Sequence, residues 1–298
     1  MRTPVNRSAL LCFSFLALGL SHLSAQAAGL PFSTVFQGRA KFDALVAQAD
    51  AWKSLPIGER TGAVGRAMVG TPYKYHTLEI DDHIEAPSAN LLGMDCWTFF
   101  EQSLAFARML NEPREQWTPQ TFLKYLELDR YRGGKCDGTY LSRLHYLEEW
   151  LPDNARRGLV VDVTRVLGGV RVSHPAREMT VNWKGYRYMR NNPDLRAGIR
   201  RMEERVEGMD MAHIPKGKVA AIEGKLKTGD IICITTRDAG GYGTSHVGLA
   251  YRTSDGVLHF MHASAPRNYG KVTLDSRLSE YLFRYKTIAG IMVARPIK

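Results

Sequence analysis

The chain has 298 residues, of which 44% are hydrophobic and 23% are charged. This is an ordinary globular composition that excludes a disordered chain, and the length suffices for one large domain or two small ones. The formal net charge is +10 at pH 7. The lysines and arginines are scattered, without a dense basic block and interleaved aromatics. This argues against nucleic acid as a partner, while an anionic polymer or membrane face remains open.

The first 27 residues are typical of a secretory signal peptide. Arg2 and Arg7 give a positive start, residues 9–20 are apolar, and residues 25–27 (Ala-Gln-Ala) form a small-x-small cleavage site. The apolar stretch is too short to span a bilayer comfortably, and no later run is long and apolar enough. We therefore expect an exported, soluble chain that begins near Ala28 and lies in a periplasm, with no integral membrane segment after signal removal.

Three cysteines follow the predicted cleavage site: Cys96, Cys136 and Cys233. Because three is an odd number, at least one must be free or pair between chains. Cys233 lies in an apolar run that indicates a buried strand, and Cys136 lies in a glycine-rich turn. A disulfide between these two stays open from the sequence.

Helical patterns come first along the chain and strand patterns come later. Helices are predicted over residues 42–55, 57–69, 95–110, 141–150 and 193–206. Strands are predicted over residues 231–236, 245–252, 257–263 and 287–294. Consecutive strands with short turns indicate an antiparallel sheet, and the order of elements indicates an α+β fold. The helix over 95–110 is apolar nearly all round, so it should be buried against that sheet.

Cys96 is the cysteine whose surroundings indicate chemistry. It follows Asp95, a good N-cap, and therefore lies in the first turn of the predicted helix. Free backbone N–H groups and the positive end of the helix dipole favour a thiolate there and could hold an oxyanion. The alternative is a buried structural cysteine, which is the usual role of a lone cysteine.

A histidine must supply the base. His246 stands at the start of one predicted strand, and His262 lies in the next. The turn between them allows two registers. A two-residue turn puts the histidines on opposite faces, whereas a three-residue loop over 254–256, with Gly256 left-handed, puts His262 opposite Gly248. The second register leaves both rings on one face and diagonal to each other, within reach. If His246 is the base and His262 orients it, the loop between the two strands should have three residues.

His259 and His262 also form an H-x-x-H pair, a spacing that could bind a metal on a helix. On a strand, positions three apart point to opposite faces. We therefore expect neither a shared zinc nor any other metal, and His259 is interpreted as a partly exposed or structural residue.

Four segments together resemble the NlpC/P60 superfamily of papain-like cell-wall hydrolases, and within it the DUF1460 branch, described as N-acetylmuramoyl-L-alanine amidase-like. In chain order they are Val-Gly-Thr-Pro-Tyr (69–73), Met-Asp-Cys-Trp-Thr-Phe (94–99), Ser-His-Val-Gly (245–248) and His-Ala-Ser (262–264). Each segment alone is a weak signal, but their order and spacing are specific. The resemblance extends from about Gly70 to Pro296.

The resemblance implies a papain-like core in which the helix of Cys96 packs on an antiparallel sheet that carries the histidines. It implies the following site: Cys96 as nucleophile, His246 as base, His262 as third residue, and Tyr73 and Asp95 as contacts to the substrate or oxyanion. No cofactor is implied. We expect one catalytic domain over residues 28–298. Residues 112–215 depart from the compact superfamily core, and we interpret them as an insertion that shapes the pocket.

The function implied is hydrolysis of the amide bond between the lactyl group of N-acetylmuramic acid and L-alanine, in peptidoglycan or its fragments. Other superfamily members instead cut between γ-D-glutamate and a diamino acid. Three further alternatives remain: a non-catalytic wall-binding protein, an acyltransferase or transpeptidase with the same Cys–His pair, and a disulfide oxidoreductase. The absence of a C-x-x-C motif counts against the last of these.

Overall fold

A computed structural model of the protein describes residues 29–238 and 241–297. The predicted signal peptide, residues 1–27, lies outside the described residues. The α-helices are α1 Phe32–Val35, α2 Arg39–Val46, α3 Ile57–Ala67, α4 Cys96–Met109, α5 Pro119–Arg130, α6 Leu147–Arg156, α7 Glu178–Val181, α8 Arg187–Asn191, α9 Leu195–Glu207, α10 Lys216–Ile222 and α11 Leu278–Phe283. The strands are β1 Phe36–Gln37, β2 Ala89–Asn90, β3 Val160–Asp162, β4 Val170–Arg171, β5 Ala212–Pro215, β6 Ile231–Asp238, β7 Gly241–Arg252, β8 Leu258–Ala263, β9 Val272–Arg277 and β10 Ile288–Pro296.

The main sheet has eight strands, and its pairs are antiparallel. Its order is β4-β5-β10-β6-β7-β8-β9, and β3 pairs with a separate stretch of β10. Strands β6 to β9 follow one another as a meander, while the last strand, β10, inserts between β5 and β6. The α+β class and the antiparallel sheet predicted from the sequence are confirmed.

Several predicted boundaries differ from the structure. The helix predicted over 42–55 ends at Val46, and a 3-10 turn at Ala49–Ala51 follows. The helix predicted over 141–150 begins only at Leu147, because the backbone before it bonds to the end of α5 instead. Leu144 N–H donates to the Arg130 carbonyl at 2.9 Å. Strand β9 and helix α5 were not predicted, although both contribute to the arrangement described below.

Helix α4 lies at the centre of the largest hydrophobic cluster, as its all-round apolar pattern predicts. Twelve of its fourteen residues are buried. Phe99 and Phe106 of α4 share this cluster with Val247 and Met261 of the sheet. A buried phenylalanine contributes about 1.5–3 kcal/mol to stability, so the packing holds the start of α4 firmly against β7 and β8.

Residues 112–215 are joined to the rest of the protein by strands and buried charges. Both β3 and β5 pair with β10. Arg130, at the end of α5, donates to Glu101 of α4 at 2.7 Å, and both side chains are fully buried. A buried pair of this kind is costly to break, because loss of one partner leaves an uncompensated charge.

The three cysteines of the described chain are free thiols, and Cys136 and Cys233 are not bridged. Cys233 is buried in β6, whereas the Cys136 thiol donates to the Glu85 carbonyl at 3.6 Å. Among residues 29–238 and 241–297, no helix is long and apolar enough to cross a membrane.

Gly248 of β7 is required by the close approach of β8. A Cβ at this position would lie 2.5 Å from the Met261 carbonyl oxygen and 2.8 Å from the His262 Cβ. We expect Gly248→Ala to lower the free energy of unfolding by about 1–3 kcal/mol, because β8 must move to admit the methyl group. Urea denaturation measures this change.

Gly243 of the same strand serves as the control, since a Cβ there would meet no atom within 4 Å. Gly243→Ala should change the stability by no more than about 0.5 kcal/mol. Equal stabilities of the two variants would contradict the steric role of Gly248.

Candidate active site

A cavity of about 620 Å³ opens at the junction of α4 and β7. Cys96, His246 and Val247 line it on one side. Residues from the segment 112–215 form much of the opposite wall: Tyr140, Arg143, Leu144, His145, Tyr146, Leu147, Glu148, His174, Pro175, Ala176, Glu178, Met179 and Tyr186.

A capping box fixes Cys96 as the first residue of α4. Asp95 Oδ1 accepts the Thr98 N–H at 2.8 Å, and the Thr98 hydroxyl oxygen accepts the Asp95 N–H at 3.0 Å. Caps of this kind stabilise a helix start by about 1 kcal/mol. The N–H groups of Cys96 and Trp97 precede any possible carbonyl partner within the helix, and both interact with the Cys96 sulfur, while the Trp97 N–H also interacts with Asp95.

The two histidines lie on one face of the sheet in the register that a catalytic pair predicts. Leu249 pairs with Met261 and Tyr251 with His259, so residues 254–256 form a three-residue loop. Gly256 in this loop is left-handed, with φ of 83°. His246 Nε2 and His262 Nδ1 are 2.7 Å apart, which is a hydrogen bond between the rings.

Two β-bulges flank this histidine pair. On β7, His246 pairs with Ile234 and Thr244 with Thr235, which leaves Ser245 as an extra residue. On β9, the register also shifts opposite Phe260 of β8. Bulges redirect the side chains of a strand and are frequent beside active sites. Here one bulge immediately precedes His246 and the other contains Asp275.

Asp275 is the site residue that sequence reasoning missed. Its Oδ2 lies 3.2 Å from His262 Nε2. Its Oδ1 accepts the Ser276 N–H at 2.6 Å and Arg284 Nη1 at 2.7 Å. Burial raises the pKa of Asp275, but His262, the Ser276 amide and Arg284 outweigh this and lower it to about 2. Alternation of apolar and polar residues over 272–275 was the available signal for the strand, but the bulge is invisible in the sequence.

The environment of Cys96 does not favour a resting thiolate, contrary to the expectation from the helix terminus. Burial and the neighbouring Asp95 carboxylate raise the pKa of the Cys96 thiol to about 12, although the N–H groups of Val247, Trp97 and Cys96 oppose them. Burial, His262 and Arg267 hold the pKa of His246 well below its ordinary value. Both shifts favour the uncharged forms of the two groups.

Tyr73 and Asp95 both lie next to Cys96, but they differ in their contacts. Burial raises the pKa of the Tyr73 phenol, and the neighbouring Cys96 and Asp95 groups add to this effect. Tyr73 does not line the cavity, whereas Tyr75, whose ring centroid is 4.8 Å away, does. Asp95 lines the cavity, while its Oδ1 is occupied by the cap. Their predicted contact with the substrate or oxyanion remains a prediction.

His259 lies apart from the pair, as expected for positions three apart on a strand. Its Nδ1 donates to the Asp275 carbonyl at 2.7 Å, whereas His262 bonds to the Asp275 carboxylate. In the part of the chain that the structure describes, no group of three His, Cys, Asp or Glu side chains could hold a metal ion.

Glu148 connects the far wall of the cavity to the strand of His246. Its two carboxylate oxygens accept the Thr244 N–H at 2.8 Å and the Thr244 hydroxyl at 2.7 Å. Thr244 is two residues before His246, so α6 holds the bulged end of β7 in place. Sequence reasoning did not single out this contact.

A family model described as N-acetylmuramoyl-L-alanine amidase-like, AmiA-like, matches residues 63–289. No curated protein matches the chain.

Solved structures resemble the chain over most of its length. An N-acetylmuramoyl-L-alanine amidase from Bacteroides uniformis is 31% identical with a TM-score of 0.72, covering 81% of this chain and 99% of that one. A Bacteroides fragilis protein proposed to be a xylanase is 35% identical with a TM-score of 0.69, covering 78% and 99%. A Legionella pneumophila protein of DUF1460 shares the fold at 19% identity and a TM-score of 0.65, covering 87% and 95%.

The matched segment 63–289 includes Cys96, His246 and His262, and thus the whole candidate site. The chain therefore belongs to the N-acetylmuramoyl-L-alanine amidase-like family.

Proposed function

We propose that the protein is a cysteine amidase that hydrolyses the bond between N-acetylmuramic acid and L-alanine in peptidoglycan or its fragments. The observation that carries the proposal is the convergence of a helix-terminal cysteine and a hydrogen-bonded histidine pair on one cavity. Membership of an amidase-like family supports the choice of substrate. We also infer that the core is papain-like, of the NlpC/P60 kind that the sequence motifs resemble.

Export is part of the same proposal. Peptidoglycan lies outside the cytoplasmic membrane, and residues 1–27 have the pattern of a secretory signal peptide. The mature enzyme would act in a periplasm, where its positive charge favours contact with anionic wall material.

The proposed first step starts from an uncharged Cys96 thiol and an uncharged His246 ring. His246 Nε2 is occupied by His262, so Nδ1 is the nitrogen left to accept the Cys96 proton. The sulfur then attacks the amide carbonyl carbon, and the C=O electron pair moves to oxygen. Backbone N–H groups at the start of α4 stabilise the oxyanion. Proton transfer during attack, without a preformed ion pair, follows from the shifted pKa values of both groups.

In the second step the C–N bond breaks, and the protonated His246 gives its proton to the leaving amine of L-alanine. This leaves a thioester between Cys96 and the lactyl group. His246 then accepts a proton from water, whose oxygen attacks the thioester carbonyl. The lactyl carboxylic acid leaves, and the sulfur regains a proton from His246.

Products from defined muropeptides test the proposed function. We expect the chain without residues 1–27 to release free peptide that begins with L-alanine, as identified by mass spectrometry. Cys96→Ala should reduce the turnover to background, because the nucleophile is lost. An active Cys96→Ala protein would contradict the mechanism.

Two other outcomes would revise the function. Cleavage after γ-D-glutamate would indicate the endopeptidase specificity of other superfamily members. Binding without cleavage, equal in wild type and Cys96→Ala, would indicate a wall-binding protein.

The two histidines should differ in importance. We expect His246→Ala to lower kcat by about 10²–10⁴-fold, the usual contribution of a general base. His262→Ala should cost less, because His262 orients the base and does not exchange the proton with substrate. Steady-state kinetics at pH 7 measure both, and the reverse ranking would exchange the roles.

The pH dependence of alkylation tests the neutral resting state. Because burial raises the pKa of Cys96 to about 12, the thiolate fraction grows with pH throughout the accessible range. The rate of iodoacetamide labelling at Cys96 should therefore rise about tenfold per pH unit between roughly pH 7 and 9. Peptide mass spectrometry separates Cys96 from Cys136, which is also partly accessible.

His246→Ala is the comparison variant for alkylation. It should leave the slope with pH unchanged, since His246 is uncharged at these pH values. A labelling rate that is constant from mildly acidic to alkaline pH, and that collapses in His246→Ala, would show a preformed thiolate–imidazolium pair.

A further inference from the structure

We propose that Asp275 is a positioning residue that sets the tautomers of both histidines and so leaves His246 Nδ1 free as the base. Asp275 does not line the cavity. It acts only through His262, and the catalytic part of this inference rests on the proposed function.

The assignment of protons starts at Asp275, because an ionised carboxylate only accepts hydrogen bonds. Arg284 and the Ser276 amide both donate to its Oδ1 and hold it ionised. His262 Nε2, 3.2 Å from Oδ2, must therefore carry a hydrogen. A neutral imidazole carries one N–H, so His262 Nδ1 is bare and accepts.

The hydrogen bond between the two rings then fixes the tautomer of His246. The ring nitrogens 2.7 Å apart need one donor and one acceptor, and His262 Nδ1 is the acceptor. His246 Nε2 therefore carries the hydrogen, and its Nδ1 keeps the lone pair that can take the proton from Cys96. The opposite order of protons would place a hydrogen on His246 Nδ1 and remove the base.

The surrounding side chains hold Asp275 and the His262 ring in one hydrogen-bonded arrangement. Asp275 and His262 are both buried, so water does not compete for their hydrogen bond. The His262 ring stacks on Phe260, with centroids 4.7 Å apart and an interplanar angle of 17°. Tyr281 of α11 covers His262, with a centroid distance of 5.2 Å.

The contacts of Oδ1 determine what Asp275→Asn would do. Ser276 N–H and Arg284 both donate to Oδ1, so the amide oxygen of Asn must occupy this position. The amide NH₂ group is then directed at His262 Nε2 and donates to it. Both histidines should consequently move their hydrogen to Nδ1, which is the tautomer that cannot accept the Cys96 proton.

Asp275→Ala removes the same charge but imposes no tautomer. A purely structural role of Asp275 predicts that Ala, which loses every contact, is at least as damaging as Asn. A tautomer-setting role predicts the opposite order. The pair of variants therefore separates the two roles.

The first readout is the ring tautomer, measured by two-bond ¹H–¹⁵N correlation spectra of the ¹⁵N-histidine-labelled protein in the absence of substrate. We expect His246 and His262 to be Nε2–H in the wild type and Nδ1–H in Asp275→Asn. Asp210→Asn, which neutralises an exposed aspartate bonded to Arg165, should leave both tautomers unchanged. Retention of Nε2–H in a folded Asp275→Asn protein would overturn the proposal, whether or not a substrate is known.

The second readout is turnover of the muropeptide that the wild type cleaves. Asp275→Asn should lower kcat by about 10²–10⁴-fold, equal to loss of the general base, with little change in KM. Asp275→Ala should retain more activity than Asp275→Asn. An Ala variant that is as inactive as the Asn variant, with wild-type tautomers in both, would leave Asp275 a structural role only.

Discussion

The 2.7 Å bond between the rings of His246 and His262 depends on the pairing register of β7 and β8. A slip of one residue would turn one of the rings to the other face of the sheet, because side chains alternate along a strand. Two glycines hold the register. Gly256 supplies the left-handed residue of the connecting loop, and Gly248 leaves room for β8 directly opposite His262.

The site combines this rigid sheet with a helix whose start is equally well defined. Hydrophobic packing holds α4 against β7 and β8, and the Asp95 cap ends the preceding loop at Cys96. This packing also partly buries Cys96 and His246. It disfavours the charged form of both Cys96 and His246, and in the proposed mechanism the Cys96 proton therefore moves to His246 during the attack. Asp275 is connected to His246 by two successive hydrogen bonds through His262. In the proposed arrangement, the ionised Asp275 sets which ring nitrogen of His246 accepts that proton.

The cavity wall opposite Cys96 comes from a different part of the chain. Residues 112–215 bring their own small hydrophobic cluster, which includes Tyr188 and Met202, and they reach the main sheet through β3 and β5. Glu148 then connects this wall to the end of β7 through Thr244. Under the proposed function, the shape of this wall selects the amide bond that is cut, whereas α4 and the sheet supply the reacting groups.

The sequence by itself determined the local features: α4 and its cap at Asp95, four strands of the sheet and the candidate trio of Cys96, His246 and His262, while it allowed the three-residue loop as one of two possible turns. These follow from hydrophobic periodicity, capping preference and turn chemistry, which act over a few residues. Only the tertiary structure decided the central place of β10, the bulges beside the histidines, the position of Asp275 and the sign of the pKa shifts. Each of these depends on which distant residues become neighbours and on how deeply they are buried, and neither is encoded in local spacing.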